Sequence, residues 1–334
     1  MVEKRYGIIA DLHKHPAIVG LAVDALIKEG IDTLILNGDL GNDAVIQVAG
    51  GQAKVSGYDF IDAVLEIVAQ KGLETFVSAG GVDKIHVQPG SHESVAAFHE
   101  VIKEKSKKYS NIISVFDVPK VEEDSHHLVF LPGSDWVSGG QYHVFPESSG
   151  LKSGVYLNDG SNYHKIEDDN LMSQIAADPR YRDSLMWVTN MEDVRDLVTQ
   201  PDKTILVSHI PPKFDNVDNC VDFAHFCKIN DGGIAPIFAA DYFRAQGATV
   251  VEKKENRGNA DLRKLIDDVG ITKGVHNHFH ESGHRANNLR SDSVKQGEFV
   301  DDLFYNSGSP DQGQCGIYSV RSDGKVAYKN ISLS

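Results

Sequence analysis

Along the first third of the chain, short apolar runs stop abruptly at polar clusters and alternate with stretches of helical period. Tyr6 to Ala10 is one such run, predicting a buried strand, and it stops at Asp11-Leu12-His13-Lys14-His15-Pro16. Pro16 suits a first helical turn. Ile18, Leu21, Ala22, Ala25 and Leu26 then give one apolar face before Gly30 ends the helix. Ile31 to Leu36 predicts a second buried strand, stopping at Asn37-Gly38-Asp39-Leu40-Gly41-Asn42. The pattern goes on with a helix expected over 58–71, strands at Thr75-Phe76-Val77 and Ile85-His86-Val87, and a helix expected from Ser94 to Tyr109. Strands are expected again at 112–115 and 128–131. Apolar strands alternating with amphipathic helices predict an α/β sheet covered by helices. In such sheets functional residues gather beyond the carboxyl ends of the strands, where Asp11, His13 and Asp39 fall.

The second half is less regular. Gly, Ser, Asn and Asp dominate 133–160, which reads as long loops or short irregular strands, followed by helices near 170–177 and 191–198. Thr204 to Val207 predicts a buried strand that ends at Ser208-His209, and a second excursion then runs to about Arg257. A helix over 260–269, a strand over 271–275 and a β-rich tail with an Asp323-Gly324 hairpin turn complete the pattern. Long excursions inside a compact domain are usually functional, so the expectation is one domain over 1–334. Its inserts, at about 132–202 and 211–258, are expected to form a substrate-covering cap.

Composition narrows the function. Hydrophobic residues at 41% and charged residues at 24% are ordinary for a globular chain, which argues against wholesale disorder. The formal net charge of −15 argues against a nucleic-acid or anionic-membrane partner, because both need a basic surface. It leaves room for a small anionic substrate at a cationic metal centre. No apolar stretch is long enough to span a bilayer, and the apolar run after Met1-Val2-Glu3-Lys4-Arg5 is too short for a signal segment. Three cysteines (Cys220, Cys227 and Cys315) make no disulfide framework, so a reducing cytoplasm is the expected location.

Gly274-Val275-His276-Asn277-His278-Phe279-His280 carries the most pointed chemistry. Alternation on an extended chain would put three imidazoles on one side, as either a polar strand edge or a metal site. Other strand ends supply further ligand types: Asp11 and His13, Asp39, Ser91-His92-Glu93, and His209.

Taken together, these blocks resemble the calcineurin-like metallophosphoesterase superfamily. Its Asp-x-His, Gly-Asp-x-x-Asn/Asp, Gly-Asn-His-Glu/Asp, single His and Gly-His-x-His segments are matched in turn. The matching stretches are Asp11-Leu12-His13, Gly38-Asp39-Leu40-Gly41-Asn42, Gly90-Ser91-His92-Glu93, His209 and Asn277-His278-Phe279-His280. Asn306-Ser307-Gly308-Ser309 resembles a further segment of that family. The resemblance covers about 1–131, 203–210 and 260–334 but neither insert. It implies a four-layer α/β sandwich, two mixed β-sheets packed together and flanked by helices. It also implies a binuclear centre, with Asp11, His13 and His280 on one ion, Ser91, His209 and His278 on the other, and Asp39 bridging. Mixed carboxylate and imidazole ligation suits Mn, with Fe, Zn or Ni as alternatives, better than Mg or Ca. Two ions about 3.5–4 Å apart share a hydroxide that attacks the phosphoryl group of a phosphomonoester or phosphodiester. His92 is then expected to assist the leaving group and Glu93 to hold its ring.

Two departures stand out. Ser91 replaces an Asn whose amide oxygen ligates the second ion, so weaker occupancy of that position is expected. Asn277 replaces a Gly, and Asn is among the few residues that tolerate a left-handed backbone. His15 and Asn42, beside motif residues, are candidates for a phosphate contact. Elsewhere the simpler readings are structural: His126-His127 as a sheet edge, Cys220, His225 and Cys227 as a packed helix face, and His276 as support or surface. The competing functions are a protein-binding scaffold of the same fold, favoured only by Ser91, and a nuclease, disfavoured by the acidic balance. The pattern leaves the substrate and the oligomeric state open, with Tyr142, His143, Tyr156, Tyr163, Trp187, Phe214, Phe223 and Phe226 as the aromatics on hand in the inserts.

Overall fold

Alternate residues of the framework strands divide between separate apolar cores, and that division builds the layers. The computed structural model describes residues 3–13, 15–41, 44–48, 51–79, 82–135, 140–178, 180–181, 184–230 and 232–333. Tyr6 and Ile8 of the strand Glu3–Ile9 pack with Ile35, Phe130, Ile205, Val207 and Tyr305 between two sheets. Ile9, Leu34 and Leu36 face the other way, onto Val19, Val23 and Leu26 of the helix Ile18–Lys28 and onto the helices Gly57–Ala79 and Val95–Lys108. On the far side, Val129, Leu131 and Leu206 pack against Leu262, Leu265 and Ile266 of the helix Ala260–Val269. The order is helices, sheet, sheet, helices: the four-layer sandwich that the resemblance implies. Each large side chain buried in these cores contributes roughly 1.5–3 kcal/mol.

Both central sheets have six strands and mixed directions. In the first, Glu3–Ile9, Thr33–Asn37, Lys84–Gln88 and Ile112–Ser114 run parallel, while Gln314–Arg321 and Val326–Ser332 continue antiparallel beyond Glu3–Ile9. In the second, His127–Leu131, Thr204–Ser208, Lys273–His276 and Leu303–Asn306 run parallel between antiparallel edges at Lys120–Glu122 and Ala286–Asn287. Parallel order brings the carboxyl ends of neighbouring strands to one rim.

The stretch 132–202 holds a four-stranded sheet of Tyr142–Phe145, Gly154–Asn158, Tyr163–Ile166 and Leu185–Asn190. The stretch 211–258 holds a three-stranded sheet of Phe223–Ile229, Gly233–Pro236 and Val250–Asn256. Tyr142 is buried with Phe98, and Phe116 stacks near it and against Trp187, so the first insert is fastened to the helix Val95–Lys108. Tyr142, Tyr156, Phe214 and Phe226 are therefore packing residues, not a free aromatic supply.

Several expectations are corrected. Thr75-Phe76-Val77 is not a strand but the last part of the helix Gly57–Ala79. Gly72 does not stop that helix. It permits a close approach, since a Cβ there would lie 3.1 Å from Asn111 Nδ2 and 3.4 Å from Ile85 Cδ1. His127 opens an interior strand with neighbours on both sides, and His126 is buried with its Nε2 2.6 Å from the Tyr6 hydroxyl. Cys220, His225 and Cys227 do not share a helix face. His225 and Cys227 lie in the strand Phe223–Ile229, with His225 facing Glu252 and Cys227 packed on Ala235 and Ala240, while Cys220 precedes it.

Candidate metal centre

Five strand ends deliver the chemistry to one rim. Asp11 and His13 follow Glu3–Ile9, Asp39 follows Thr33–Asn37, and Ser91, His92 and Glu93 follow Lys84–Gln88 in the first sheet. His209 follows Thr204–Ser208, and His278 and His280 follow Lys273–His276 in the second. The backbone here is unusual: Asp11, His13, Asp39 and His278 have φ of 57°, 43°, 53° and 73°. A left-handed backbone costs a side-chain-bearing residue about 1–2 kcal/mol, so four at one rim mark a geometry held by its surroundings. Glycines let the loops meet. A Cβ on Gly38 would lie 2.8 Å from His209 Nδ1, and one on Gly90 would lie 2.6 Å from the Asp39 nitrogen.

The side chains converge. Asp11 Oδ1 is 3.3 Å from His280 Nε2 and 4.0 Å from His13 Nε2, and those two nitrogens are 3.1 Å apart. Asp39 Oδ2 is 3.2 Å from His209 Nε2, 3.9 Å from His92 Nε2 and 4.0 Å from His13 Nε2. The His278 ring stands edge-on to His209, with centroids 5.1 Å apart. Three sets have ligand atoms within 4.8 Å of one another: Asp11, His13 and His280; Asp39, His209 and His278; and His13, Asp39 and His92.

Charge and orientation fit cations. His209 Nδ1 donates to the Asn37 carbonyl at 2.8 Å, which turns Nε2 toward the carboxylates. Asp11 Oδ1 and His209 Nε2 are buried with no aligned hydrogen bond; their close contacts are the ion-pair approaches to His280 and Asp39, between which an ion would sit. Burial alone would raise both carboxyls. For Asp39 the charges of His209, His92 and His13 outweigh it and hold the group well below its usual range; Asp11 is lowered likewise by His280 and His209. Burial disfavours charge on His209 and His280, yet Asp39 carries the first to about 10 and Asp11 the second to about 9. His278, desolvated and repelled by His209, falls to about 4.

Glu93 does other work than expected. Its Oε1 accepts from Leu40 N at 2.5 Å and its Oε2 from Gly90 N at 2.9 Å. It therefore ties the Asp39 loop to the Ser91 loop, and the His92 ring is not its partner. Burial and the charge of Asp39 push it to about 8. Ser91 is fully buried, and its hydroxyl lies 2.9 Å from Asp39 Oδ2. Asn277 is not left-handed, for the positive φ falls on the next residue, His278. The Asn277 amide instead accepts from Asn37 Nδ2 at 2.8 Å and donates to Ser307 Oγ and the Gly308 carbonyl. His15 is two-thirds exposed and faces Asp311 at 3.0 Å, and Asn42 lies outside the described residues. His276 is buried and bonded to Ser208 Oγ, not on the surface.

Sequence reasoning missed a floor of amides beneath the ligands. Asn37 bonds the Ser208 carbonyl and Asn277 across the two sheets, and Gln88 bonds Asn37. Ser309 donates to the Asp11 carbonyl at 2.8 Å, which gives the Asn306–Ser309 segment a supporting role. The available signal was a polar residue closing an apolar strand, easily read as a boundary.

A model of the calcineurin-like phosphoesterase family matches residues 4–239, and the chain belongs to that family. His278 and His280 lie beyond the matched stretch and reach the rim through the second sheet. No curated protein matches the chain in sequence. Among solved structures, TT1561 of Thermus thermophilus is 9% identical with a TM-score of 0.49, covering 98% of this chain and 99% of that one. A dimetal phosphatase from Danio rerio is 10% identical with a TM-score of 0.42, covering 99% of each chain. A purple acid phosphatase from yellow lupin seeds is 10% identical with a TM-score of 0.37, covering 99% of this chain and 54% of that one.

Proposed function

We propose that the chain is a metal-dependent phosphoesterase acting on a small phosphomonoester or phosphodiester. The observation that carries this reading is the meeting of two ligand sets, Asp11, His13 and His280 with Asp39, His209 and His278, around buried carboxylates and imidazoles that approach one another without an aligned hydrogen bond. Asp39, within reach of His13, His92 and His209, joins the two sets. Manganese is the ion proposed, with iron, zinc or nickel as alternatives for the same donors. Ions held by these residues would supply an acidified water and positive charge against a phosphoryl group.

The protein's own groups supply the rest. His92 is the most open imidazole of the cluster, with 42% of its side chain exposed, and its backbone N–H is held by Asp39 Oδ1 at 2.9 Å. That places an acid on the solvent side, where a leaving alcohol oxygen would depart. The Asn37 carbonyl fixes the orientation of His209, and Glu93 keeps the two loops in register. Room for the organic part of the ester lies alongside. A cavity of about 300 Å³ is lined by Asp135, whose charge acts on His278, and by Lys213, Glu255 and Arg257 of the second insert. The inserts are thus proposed as the walls that choose the substrate.

The test is metal content per chain and hydrolysis of generic mono- and diesters with excess Mn, Zn, Ni or Fe, in the wild type and in Asp39→Asn. We expect bound metal, ester hydrolysis, and a loss of about a thousandfold or more in the variant, since a joint ligand accounts for several kcal/mol of charge stabilisation. Bound metal with no turnover on any ester would move the reading to a scaffold. Unchanged activity in Asp39→Asn would sink the two-metal assignment.

A further inference from the structure

The two halves of the centre are unequal, and Ser91 makes them so. Beside Asp39, the first set has three charged or imidazole donors, Asp11, His13 and His280, while the second has two, His209 and His278. Ser91 stands where a further donor to the second set is expected, but its groups are engaged elsewhere. Its backbone N–H donates to Asp39 Oδ1 at 2.5 Å, and its hydroxyl lies 3.2 Å from Oδ1 and 2.9 Å from Oδ2. Oδ2 is the same oxygen that faces His209. The hydroxyl proton thus occupies a lone-pair direction of the carboxylate the second ion needs. Ser91 has little freedom to turn away. It is fully buried, and its carbonyl packs on Gly140 so closely that a Cβ on Gly140 would overlap it.

Resting on the metallophosphoesterase reading above, we propose that Ser91 is a clamp on Asp39 and not a ligand. The chain then holds one divalent ion tightly on Asp11, His13 and His280 and a second, exchangeable ion on His209, His278 and the clamped Asp39. The ambient concentration of the metal sets how much protein carries both. The serine acts as a positioning residue for Asp39 and as a built-in brake on the second step of loading.

The test is titration of chelator-stripped protein with Mn²⁺, followed by calorimetry and by the electron paramagnetic resonance of the bound ion. The expected result is two steps whose affinities differ roughly ten- to hundredfold, the range over which groups behind a metal ligand act. The spectrum should be that of isolated Mn²⁺ after one equivalent and of a coupled pair only after the second. Ser91→Asn should tighten the second step and leave the first alone, whereas Ser91→Ala, which removes the clamp without adding a donor, should leave the second step as tight or tighter. Two equal steps in the wild type, a second step unmoved by Ser91→Asn, or one lost in Ser91→Ala would each overturn the proposal. Two equal tight steps would leave the wider reading standing; absence of any Mn²⁺ binding would overturn both.

Discussion

His209 and His276 are both completely buried, yet their environments drive them in opposite directions, to about 10 and about 3. His276 sits on the outer face of the second sheet, stacked on Phe304 with an interplanar angle of 9°. Its Nδ1 meets Ser208 Oγ at 2.9 Å, and because that hydroxyl donates onward to the Ile210 carbonyl, the ring is the donor. His209, at the rim, has Asp39 at 3.2 Å and Asp11 at 3.8 Å. Burial therefore does not separate His209 from His276; the converging carboxylates do. His86, stacked on Phe130, and His126, hydrogen-bonded to the Tyr6 hydroxyl, belong with His276, each pushed by burial to about 4.

The largest effect that would test this contrast comes from exchanging a ring at the rim and a ring packed inside. His92→Asn should lower ester hydrolysis about 10²- to 10⁴-fold while metal content stays level, because an acid is lost and no ligand is. His86→Phe should leave metal content and turnover close to wild type. Loss of bound metal in His86→Phe would show that the inner rings are part of the centre after all, and would break the comparison.

The second effect is a pH dependence of opposite sign between His209 and His280 on one side and the packing rings on the other, with the ligand His278 falling on the packing side. An unfolded histidine titrates near 6.5, whereas His276, His86 and His126 stay neutral in the fold down to about 3 to 4. Below pH 6.5 the unfolded chain therefore binds protons that the native state refuses, and each ring lowers stability by about 1.4 kcal/mol per pH unit. His209 and His280 are raised instead, so in metal-free protein their contribution is complete below pH 6.5 and is lost as pH rises through about 9 to 10. Thermal unfolding of metal-free protein between pH 6.5 and 4.5 should show a steep fall that His276→Phe flattens. An unchanged slope in that variant would mean that His276 is not the neutral, buried ring described.

This contrast also explains what was legible in the chain. Asp11, His13, Asp39, His209, His278 and His280 could be read because each follows a short apolar strand, and strand ends of a parallel sheet share a rim. Asn37, Gln88 and Asn277 could not, because their task is to join two sheets far apart in sequence, and nothing local marks such a partner. Alternation failed at the histidine stretch. The strand ends at His276 and the chain turns left-handed at His278, so the rings part company. In the inserts, Tyr163–Ile166 is largely exposed and carries no apolar alternation to betray a strand. Thr75-Phe76-Val77 went the other way, its strand propensity overridden by the helix that contains it.

Glu93 gives the smallest effect and the finest test of how the rim is held. Its two oxygens each accept one backbone N–H, from Leu40 and from Gly90, and so couple the loop that carries Asp39 to the loop that carries Ser91 and His92. Glu93→Gln keeps the shape but turns an NH₂ toward one of those donors, leaving a buried N–H unpaired at a cost of about 1–3 kcal/mol. A drop of a few degrees in Tm and weaker Mn²⁺ binding at the Asp39-dependent second step are the expected results. The pH profile of kcat should keep its shape, since the His92 ring does not lean on this carboxylate. If Glu93 instead tuned His92, the substitution would move a limb of that profile and leave both Tm and metal affinity unchanged. The two outcomes differ in which measurement responds, so one variant decides whether Glu93 belongs to the proton chemistry or to the scaffold that brings the strand ends together.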